Sequence, residues 1–235
     1  MPRIIGFLGT YTADLCLYTA LAMQNTGRHV CVIDQSDDST LYECIPTPDS
    51  RLEMVTYHNV DFIRREPYAN WPDMDYEYVF VQLGALPQEI CIAVCMECVM
   101  VVDCERVNLN FYRCLMKQNE IAMTVLLRGF CPEGASGQTI RGLFEQENCF
   151  VEKWLTLPLD EIDEAYRIRM QYEPIKKFRR LSMDMEKVLI QLLHLFGVDN
   201  YAEMIRAVKA VKRGKVAGMR YPWQRNACIA VEGKG

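Results

Sequence analysis

The sequence has 235 residues, of which 50% are hydrophobic and 24% are charged, a balance typical of one soluble globular domain with a substantial core. The net charge of −5 gives no overall attraction to nucleic acid, so a nucleic-acid partner is not expected. No stretch approaches the roughly 20 apolar residues of a membrane span, and glycines interrupt the apolar N-terminus before it could form a signal-peptide core. We therefore expect a cytoplasmic protein in which the 11 scattered cysteines stay reduced.

Short apolar or β-branched runs alternate with helical patterns along the first 200 residues. Strands are predicted at 4–8, 30–33, 78–83, 99–102, 122–127 and 151–157, with a hairpin or edge excursion at 54–57 and 60–63. Helices are predicted at 15–24 and, as a final core-packing element, at 182–196. Apolar strands that alternate with helices indicate a doubly wound, mainly parallel α/β sheet with helices on both faces. Ligands of such sheets bind where strands end, so the turn after the first strand is the first place to seek a site.

The opening segment combines a strand, a turn that contains glycine, a helix and a second strand. It reads IIGFLGTYTADLCLYTALAMQNTGRHVCVIDQ, in which a strand leads to Gly9, then to a helix, and then to a second strand that ends in Asp34. This layout resembles the MinD/ParA-type P-loop ATPases of the SIMIBI class, and later segments follow the same order as far as Gly197. The resemblance implies a P-loop NTPase-like fold, in a group whose members work in septum placement, DNA partition and pilus assembly.

The residues that hold ATP in that family are replaced in this chain. The family loop ends in Lys-Thr, whereas the loop from Gly9 to Asp14 has no lysine, is about two residues shorter, and places a carboxylate near the phosphate position. Gln82 stands where the family has its Walker B aspartate, and Arg128 stands near the family's base-contacting asparagine. We therefore expect no ATP or Mg²⁺ cofactor, and a vestigial nucleotide site at Gly9, Thr10, Tyr11, Thr12, Asp14, Asp34, Gln82 and Arg128.

These replacements predict a non-catalytic pseudo-ATPase. Its surface would act as a scaffold or regulatory module, either as a homodimer across the nucleotide face or with another protein partner. The alternative is an ATPase with an atypical loop, whose missing cation comes from Arg128 or from Lys176 and Lys177.

The segment 201–235 differs from the α/β domain at 1–200 because it is strongly basic. Met204, Val208 and Val211 recur at helical spacing, which predicts a basic amphipathic helix. Such a helix either packs on the domain with a solvated basic face or binds an anionic membrane surface, so a peripheral membrane adaptor is a second alternative. The candidates for contact with a partner or membrane are Arg206, Lys209, Lys212, Arg213 and Lys215.

Cys95-Met96-Glu97-Cys98 has the spacing of a metal or redox site. No second cysteine pair or neighbouring histidine completes a zinc site with four ligands. We therefore interpret both thiols as small hydrophobic groups of the core.

Overall fold

The computed structural model describes residues 1–37, 39–46, 52–119, 123–130, 137–146, 149–173 and 177–214 of the chain. A sheet of eight strands carries helices on both faces, which confirms the predicted doubly wound α/β class. The strands are β1 (Arg3–Gly9), β2 (Val30–Asp34), β3 (Met54–Tyr57), β4 (Val60–Arg64), β5 (Tyr78–Gly84), β6 (Glu97–Val102), β7 (Met123–Phe130) and β8 (Val151–Pro158). The helices are α1 (Ala13–Gln24), α2 (Thr40–Glu43), α3 (Glu89–Val94), α4 (Arg106–Asn119), α5 (Gly137–Gln146), α6 (Glu161–Arg169), α7 (Met183–Leu195) and α8 (Tyr201–Arg213).

The strand order is β3-β4-β2-β5-β1-β6-β7-β8. β3 runs antiparallel to β4, which confirms the predicted edge hairpin, whereas the pairings from β4 to β8 are parallel. β1 therefore lies inside the sheet, with β5 on one side and β6 on the other. Parallel strands end at the same edge of a sheet. We call this the carboxyl edge and define it by the last residues of β1, β5, β6 and β8, which are Gly9, Gly84, Val102 and Pro158.

Two hydrophobic cores lie on opposite faces of the sheet. One face is covered by α1, α7 and α8, and the other by α3, α4 and α5. Every residue of α1 is buried, because the sheet lies on one side of this helix and α7 and α8 pack on the other. A helix that is buried all round needs apolar residues on every side, which the sequence of α1 supplies except at a few polar positions such as Asp14.

The core helix predicted at 182–196 is present as α7, but it is not the final one, because α8 also packs into the same core. The Ser182 hydroxyl caps its N-terminus by accepting a hydrogen bond from the Met185 N–H at 3.0 Å. At the other end, the carbonyl oxygen of Phe196 accepts from Arg3 Nη1 at 2.9 Å and from the Tyr78 hydroxyl at 2.8 Å. The orphan carbonyl at the end of the helix is thus satisfied by side chains from β1 and β5, which holds α7 on the sheet.

α8 packs on the domain, as one of its two sequence interpretations predicts. The Asn200 side chain caps its start by accepting from the Glu203 N–H at 3.2 Å. The apolar face of the helix is buried against α1 and α7 by Met204, Ala207, Val208 and Val211. In the part of the chain that the structure describes, no helix is both long and apolar enough to span a bilayer. Lys215 and the rest of 215–235 lie outside the described residues.

Packing of α8 on the domain predicts a large stability cost for truncating its buried face. Met204→Ala removes a buried side chain and leaves a cavity, so the free energy of unfolding should fall by about 2–5 kcal/mol in urea titrations. Lys209→Ala on the exposed face of the same helix is the control and should change it by less than about 0.5 kcal/mol. Equal effects of the two substitutions would contradict the packing.

Candidate functional site

The loop from β1 to α1 consists of Thr10, Tyr11 and Thr12. Gly9 ends β1 with a φ of 114°, and a Cβ at this position would lie 1.9 Å from the carbonyl oxygen of Val101, so only glycine fits. Tyr11 has a φ of 54°, which is uncommon for a residue with a side chain. The Thr10 N–H donates to the same Val101 oxygen at 3.1 Å. This tight turn brings the N-terminus of α1 directly against the end of β1.

A buried ion pair occupies the N-terminus of α1. Asp14, in the first turn of the helix, is 2% exposed, and Arg128 of β7 is 4% exposed. The two side chains form a bidentate pair, with Nη1 to Oδ1 and Nη2 to Oδ2 both at 2.7 Å. Arg128 Nη1 also donates to the carbonyl oxygen of Tyr11 at 2.6 Å. Because β6 lies between β1 and β7, the Arg128 side chain extends across β6 to hold the loop after β1.

Helix α6 extends the pair into a chain of alternating charges. Glu164 Oε1 accepts from Arg128 Nη2 at 3.3 Å, and its Oε2 accepts from Arg167 Nε at 2.7 Å. The Arg167 guanidinium lies over the Tyr11 ring, with Cζ 4.2 Å from the ring centroid. Burial lowers the pKa of the Arg128 guanidinium, but the Asp14 and Glu164 carboxylates raise this pKa by more, so it stands above its usual value. We call these residues the charge chain: Asp14, Arg128, Glu164 and Arg167.

The two strand-end residues Gln82 and Asp34 make different contacts. Gln82 of β5 is buried, and its Nε2 donates to the Thr12 hydroxyl at 2.6 Å. Gln82 Oε1 is also buried and has no hydrogen-bond partner within the described ranges. Asp34 at the end of β2 accepts from the Ser36 N–H at 3.2 Å, from the Ser36 hydroxyl, and from the Tyr42 N–H at 2.8 Å. Gln82 therefore faces the loop after β1, whereas Asp34 holds its own turn to α2.

A cavity of about 410 Å³ lies over the loop, lined by residues 9–14, Gln82 and Arg167 among others. Mg²⁺-triphosphate needs several converging cations or N–H groups, and a carboxylate or hydroxyl that is free to hold the metal. Arg167 supplies the one Lys or Arg side chain among the described lining residues. No cluster of three or more His, Cys, Asp or Glu side chains in the described ranges is arranged to hold a metal ion. These residues do not match the groups that Mg²⁺-triphosphate requires.

The structure brings most of the predicted site residues together but changes the interpretation of two. Residues 9–14 meet Gln82 and Arg128, while Asp34 lies on β2, with β5 between it and β1. From the sequence, Asp14 was expected to place an uncompensated carboxylate near the phosphate position. In the structure, Arg128 compensates the charge of Asp14 directly. The family resemblance placed Arg128 near a base-contacting position. In the structure its guanidinium is directed at α1 and α6.

The alternative cation sources, Arg128, Lys176 and Lys177, differ in their surroundings. Arg128 is already bound to Asp14, Glu164 and the loop, so it has no donor left to offer a phosphate except Nε, which is buried. Lys177 is exposed, and Lys176 lies outside the described residues. Glu164 and Arg167 were not identified from the sequence. Their contacts with Arg128 and Tyr11 span 36 residues or more, and the local i,i+3 pair that they form in α6 does not indicate those partners.

The basic residues of α8 do not form one uniform surface. Arg206, Lys209 and Arg213 are exposed. Lys212 instead binds Glu186 of α7 and donates to the carbonyl oxygen of Leu181 at 3.2 Å. Lys212 thus ties α8 to α7, which is a different role from the partner or membrane contact considered from the sequence.

Solved structures with the same fold define the class of this domain. The MinD cell division protein of Aquifex aeolicus is 14% identical, with a TM-score of 0.60 over 84% of this chain and 98% of that one. MinD in the MinC:MinD complex of Aquifex aeolicus is 13% identical, with a TM-score of 0.56 over 93% and 98%. The ParA family ATPase of Chlorobium tepidum TLS is 14% identical, with a TM-score of 0.54 over 89% and 97%. The chain has the P-loop NTPase-like fold of MinD/ParA ATPases.

The evidence for this class comes from structure and not from sequence similarity. No protein-family model matches the sequence, and no curated protein matches it either. At 13–14% identity the likeness to MinD and ParA establishes the fold alone.

The buried pair predicts a non-additive mutant cycle. Arg128→Met leaves the Asp14 carboxylate buried without a cation, and Asp14→Leu leaves the guanidinium without its bidentate partner, so each should cost about 3–5 kcal/mol of unfolding free energy. The double variant removes both charges and should cost less than either single variant. Urea unfolding at neutral pH measures all three.

Arg169→Met is the control for this cycle, because it breaks the exposed pair of Arg169 with Glu173. That substitution should leave stability within about 0.5 kcal/mol of the unmodified protein. Simple addition of the two single effects at Asp14 and Arg128 would show that the pair is not coupled.

Proposed function

We propose that this protein is a non-hydrolysing relative of the MinD/ParA ATPases that acts as a scaffold or regulatory module through contacts with proteins. The observation that carries the proposal is the Asp14–Arg128 pair at the N-terminus of α1. P-loop ATPases use that helix end, with its positive potential, to bind phosphate. Here a carboxylate of the chain itself already lies at that end and is held by its own guanidinium, so the charges of Asp14 and Arg128 at this helix end are already paired with each other.

The metal side of the site supports the same proposal. A carboxylate at the end of β5 would hold metal-bound water, but Gln82 offers an amide whose NH₂ group donates to the Thr12 hydroxyl. A neutral amide does not provide the negative charge that attracts Mg²⁺. The described lining of the cavity therefore offers one cation, Arg167, which is paired with Glu164, and the described residues include no cluster of three or more His, Cys, Asp or Glu side chains for a metal ion.

Loss of the phosphate-binding charge and of the metal ligand predicts that the protein neither binds nor hydrolyses ATP. Isothermal titration of the full chain with Mg-ATP should give no binding heat, and a phosphate-release assay should show no turnover above the buffer rate. A MinD-type ATPase titrated in the same buffer is the positive control. Micromolar, Mg²⁺-dependent binding would instead support the alternative of an ATPase with an atypical loop.

The carboxyl edge carries the surface that we assign to a protein partner. Exposed apolar side chains follow four of its strands. They are Leu86 after β5 (70% exposed), Tyr11 after β1 (55%), Val107 after β6 (79%) and Leu159 after β8 (61%). Apolar side chains grouped on one exposed edge are typical of an interaction site. MinD of Aquifex aeolicus, which has this fold, is found in a complex with MinC. For this chain we propose a second copy as the first partner to test.

The membrane and ATPase alternatives have less support. α8 buries its apolar face on α1 and α7, so it offers a membrane only the charges of Arg206, Lys209 and Arg213. Electrostatic attraction of this kind contributes about 1 kcal/mol per basic residue near an anionic surface. The ATPase alternative needs a cation at the loop. Arg128 is bound to Asp14 and Glu164, and Lys177, which the structure also describes, is not among the residues that line the cavity.

Pairing through the carboxyl edge predicts a dimer that does not depend on nucleotide. Sedimentation over a concentration series without ATP should show a dimer, and Val107→Asp should shift it to monomer. An acidic residue is favourable in the first turn of α4, so this substitution should leave the fold intact. Tyr201→Asp, at an exposed apolar position of α8, is the control and should remain dimeric. A monomer that dimerises only with Mg-ATP would contradict the proposal.

A further inference from the structure

Two cysteines meet where α3 returns to the sheet. Cys95 is the C-terminal cap of α3, and Cys98 lies in β6. The chain bends at Met96, whose N–H donates to the carbonyl oxygen of Ile4 at 2.9 Å. This bend brings the Cys95 side chain to the same part of β1 that Cys98 faces, and the sulfur atoms of both residues lie beside Gly6. The Cys95-to-Cys98 spacing therefore places two sulfur atoms near one backbone position of β1.

Gly6 provides the space for this sulfur pair. Gly6 lies inside β1 and is the register partner of Cys98 in β6. A Cβ at Gly6 would lie 2.9 Å from Cys95 Sγ and 3.3 Å from Cys98 Sγ. Glycine in the interior of a strand is unfavourable, and it often marks a close approach by another group. Here the approaching groups are the two thiols and the Leu83 side chain, whose Cδ1 would lie 2.9 Å from the same Cβ, so a side chain at Gly6 would displace the cysteine pair.

We propose that Cys95 and Cys98 form a reversible disulfide, a modification site that is independent of the nucleotide position and of the partner surface. Cys95 is partly exposed, whereas Cys98 is buried. An oxidant therefore reaches Cys95 first, and Cys98 resolves the intermediate. Pairs of this kind in a reducing compartment form transient disulfides that respond to the redox state.

Oxidised glutathione converts the two thiols to a disulfide in two exchange steps. The Cys95 thiolate attacks one sulfur of glutathione disulfide, which breaks that S–S bond and releases one glutathione thiolate. Cys98 then attacks Cys95 Sγ in the mixed disulfide, forms the Cys95–Cys98 bond and releases the second glutathione. The two protons of the cysteines pass to the two glutathione thiolates. The protein thus loses two hydrogen atoms and two molecules of reduced glutathione are formed.

The surroundings of the pair determine how it is tested. Contact with Cys98 and burial both raise the pKa of the Cys95 thiol well above its usual value, so little thiolate is present at neutral pH and oxidation is slow. Cys91 is a competing partner, because the Cys95 thiol also donates to the Cys91 carbonyl oxygen at 3.2 Å. The experiment therefore uses excess oxidant and must distinguish Cys95–Cys98 from a pairing that involves Cys91.

Cleavage at methionine makes that distinction. Full-length protein is treated with excess oxidised glutathione, its remaining thiols are blocked, and cyanogen bromide is applied in acid. Met74, Met96 and Met100 then release fragment 75–96, which contains Cys91 and Cys95, and fragment 97–100, which contains Cys98. We expect mass spectrometry to find the two fragments joined after oxidation and separate after reduction. Cys95→Ser should abolish the joined species, whereas Cys91→Ser, the matched control, should retain it.

Three outcomes would overturn the inference. The first is separate fragments after oxidation of the unmodified protein. The second is a loss of two hydrogen atoms confined to fragment 75–96, which would identify a bond between Cys91 and Cys95. The third is a joined species that disappears in Cys91→Ser. The masses of the unmodified protein's fragments decide the first two without any variant, so a variant that fails to fold does not leave the inference untested.

Discussion

The bidentate contact between Asp14 and Arg128 is the interaction on which the site depends. Each side chain is almost completely buried, so neither charge is tolerable without the other. The contact orients Arg128 toward Glu164 and the Tyr11 carbonyl, and through them it positions α6 and the loop after β1. A helix end that attracts anions in related folds is thereby stabilised by the protein's own side chains. The consequence is that the charges at this helix end hold α1, α6 and the loop after β1 together.

The sequence predicts features that depend on neighbouring residues. It does not predict contacts between residues that lie far apart in the chain. Strand and helix positions were predicted well because runs such as 78–83 and spacing such as Met185, Leu189 and Leu192 carry a local signal of burial. The position of Gln82 near the end of that strand was implied by the resemblance to the MinD/ParA family. The pairing of Asp14 with Arg128 could not be predicted, because 114 residues separate them and no sequence feature near either residue indicates its partner.

The same reasoning explains the results for α8 and for the thiols. Helical spacing identified an amphipathic helix, but spacing does not tell whether its apolar face meets a core or a membrane, and burial on α1 and α7 decides for the core. The pattern Cys95 to Cys98 shows only a separation in sequence. Both sulfurs lie beside β1 because the chain bends at Met96 and because Gly6 has no side chain. Both features require three-dimensional neighbours that lie far away in the sequence.

The long separation of Asp14 from its cation also constrains how the nascent chain can assemble. β1 and α1 are synthesised before β7, and more than 100 residues must follow Asp14 before Arg128 is made. Until β7 has joined the sheet, docking α1 would bury an uncompensated carboxylate, which is unfavourable. Assembly of the N-terminal βα unit therefore waits for the C-terminal half of the sheet. The topology thus has a high contact order, and folding is expected to be slow and post-translational.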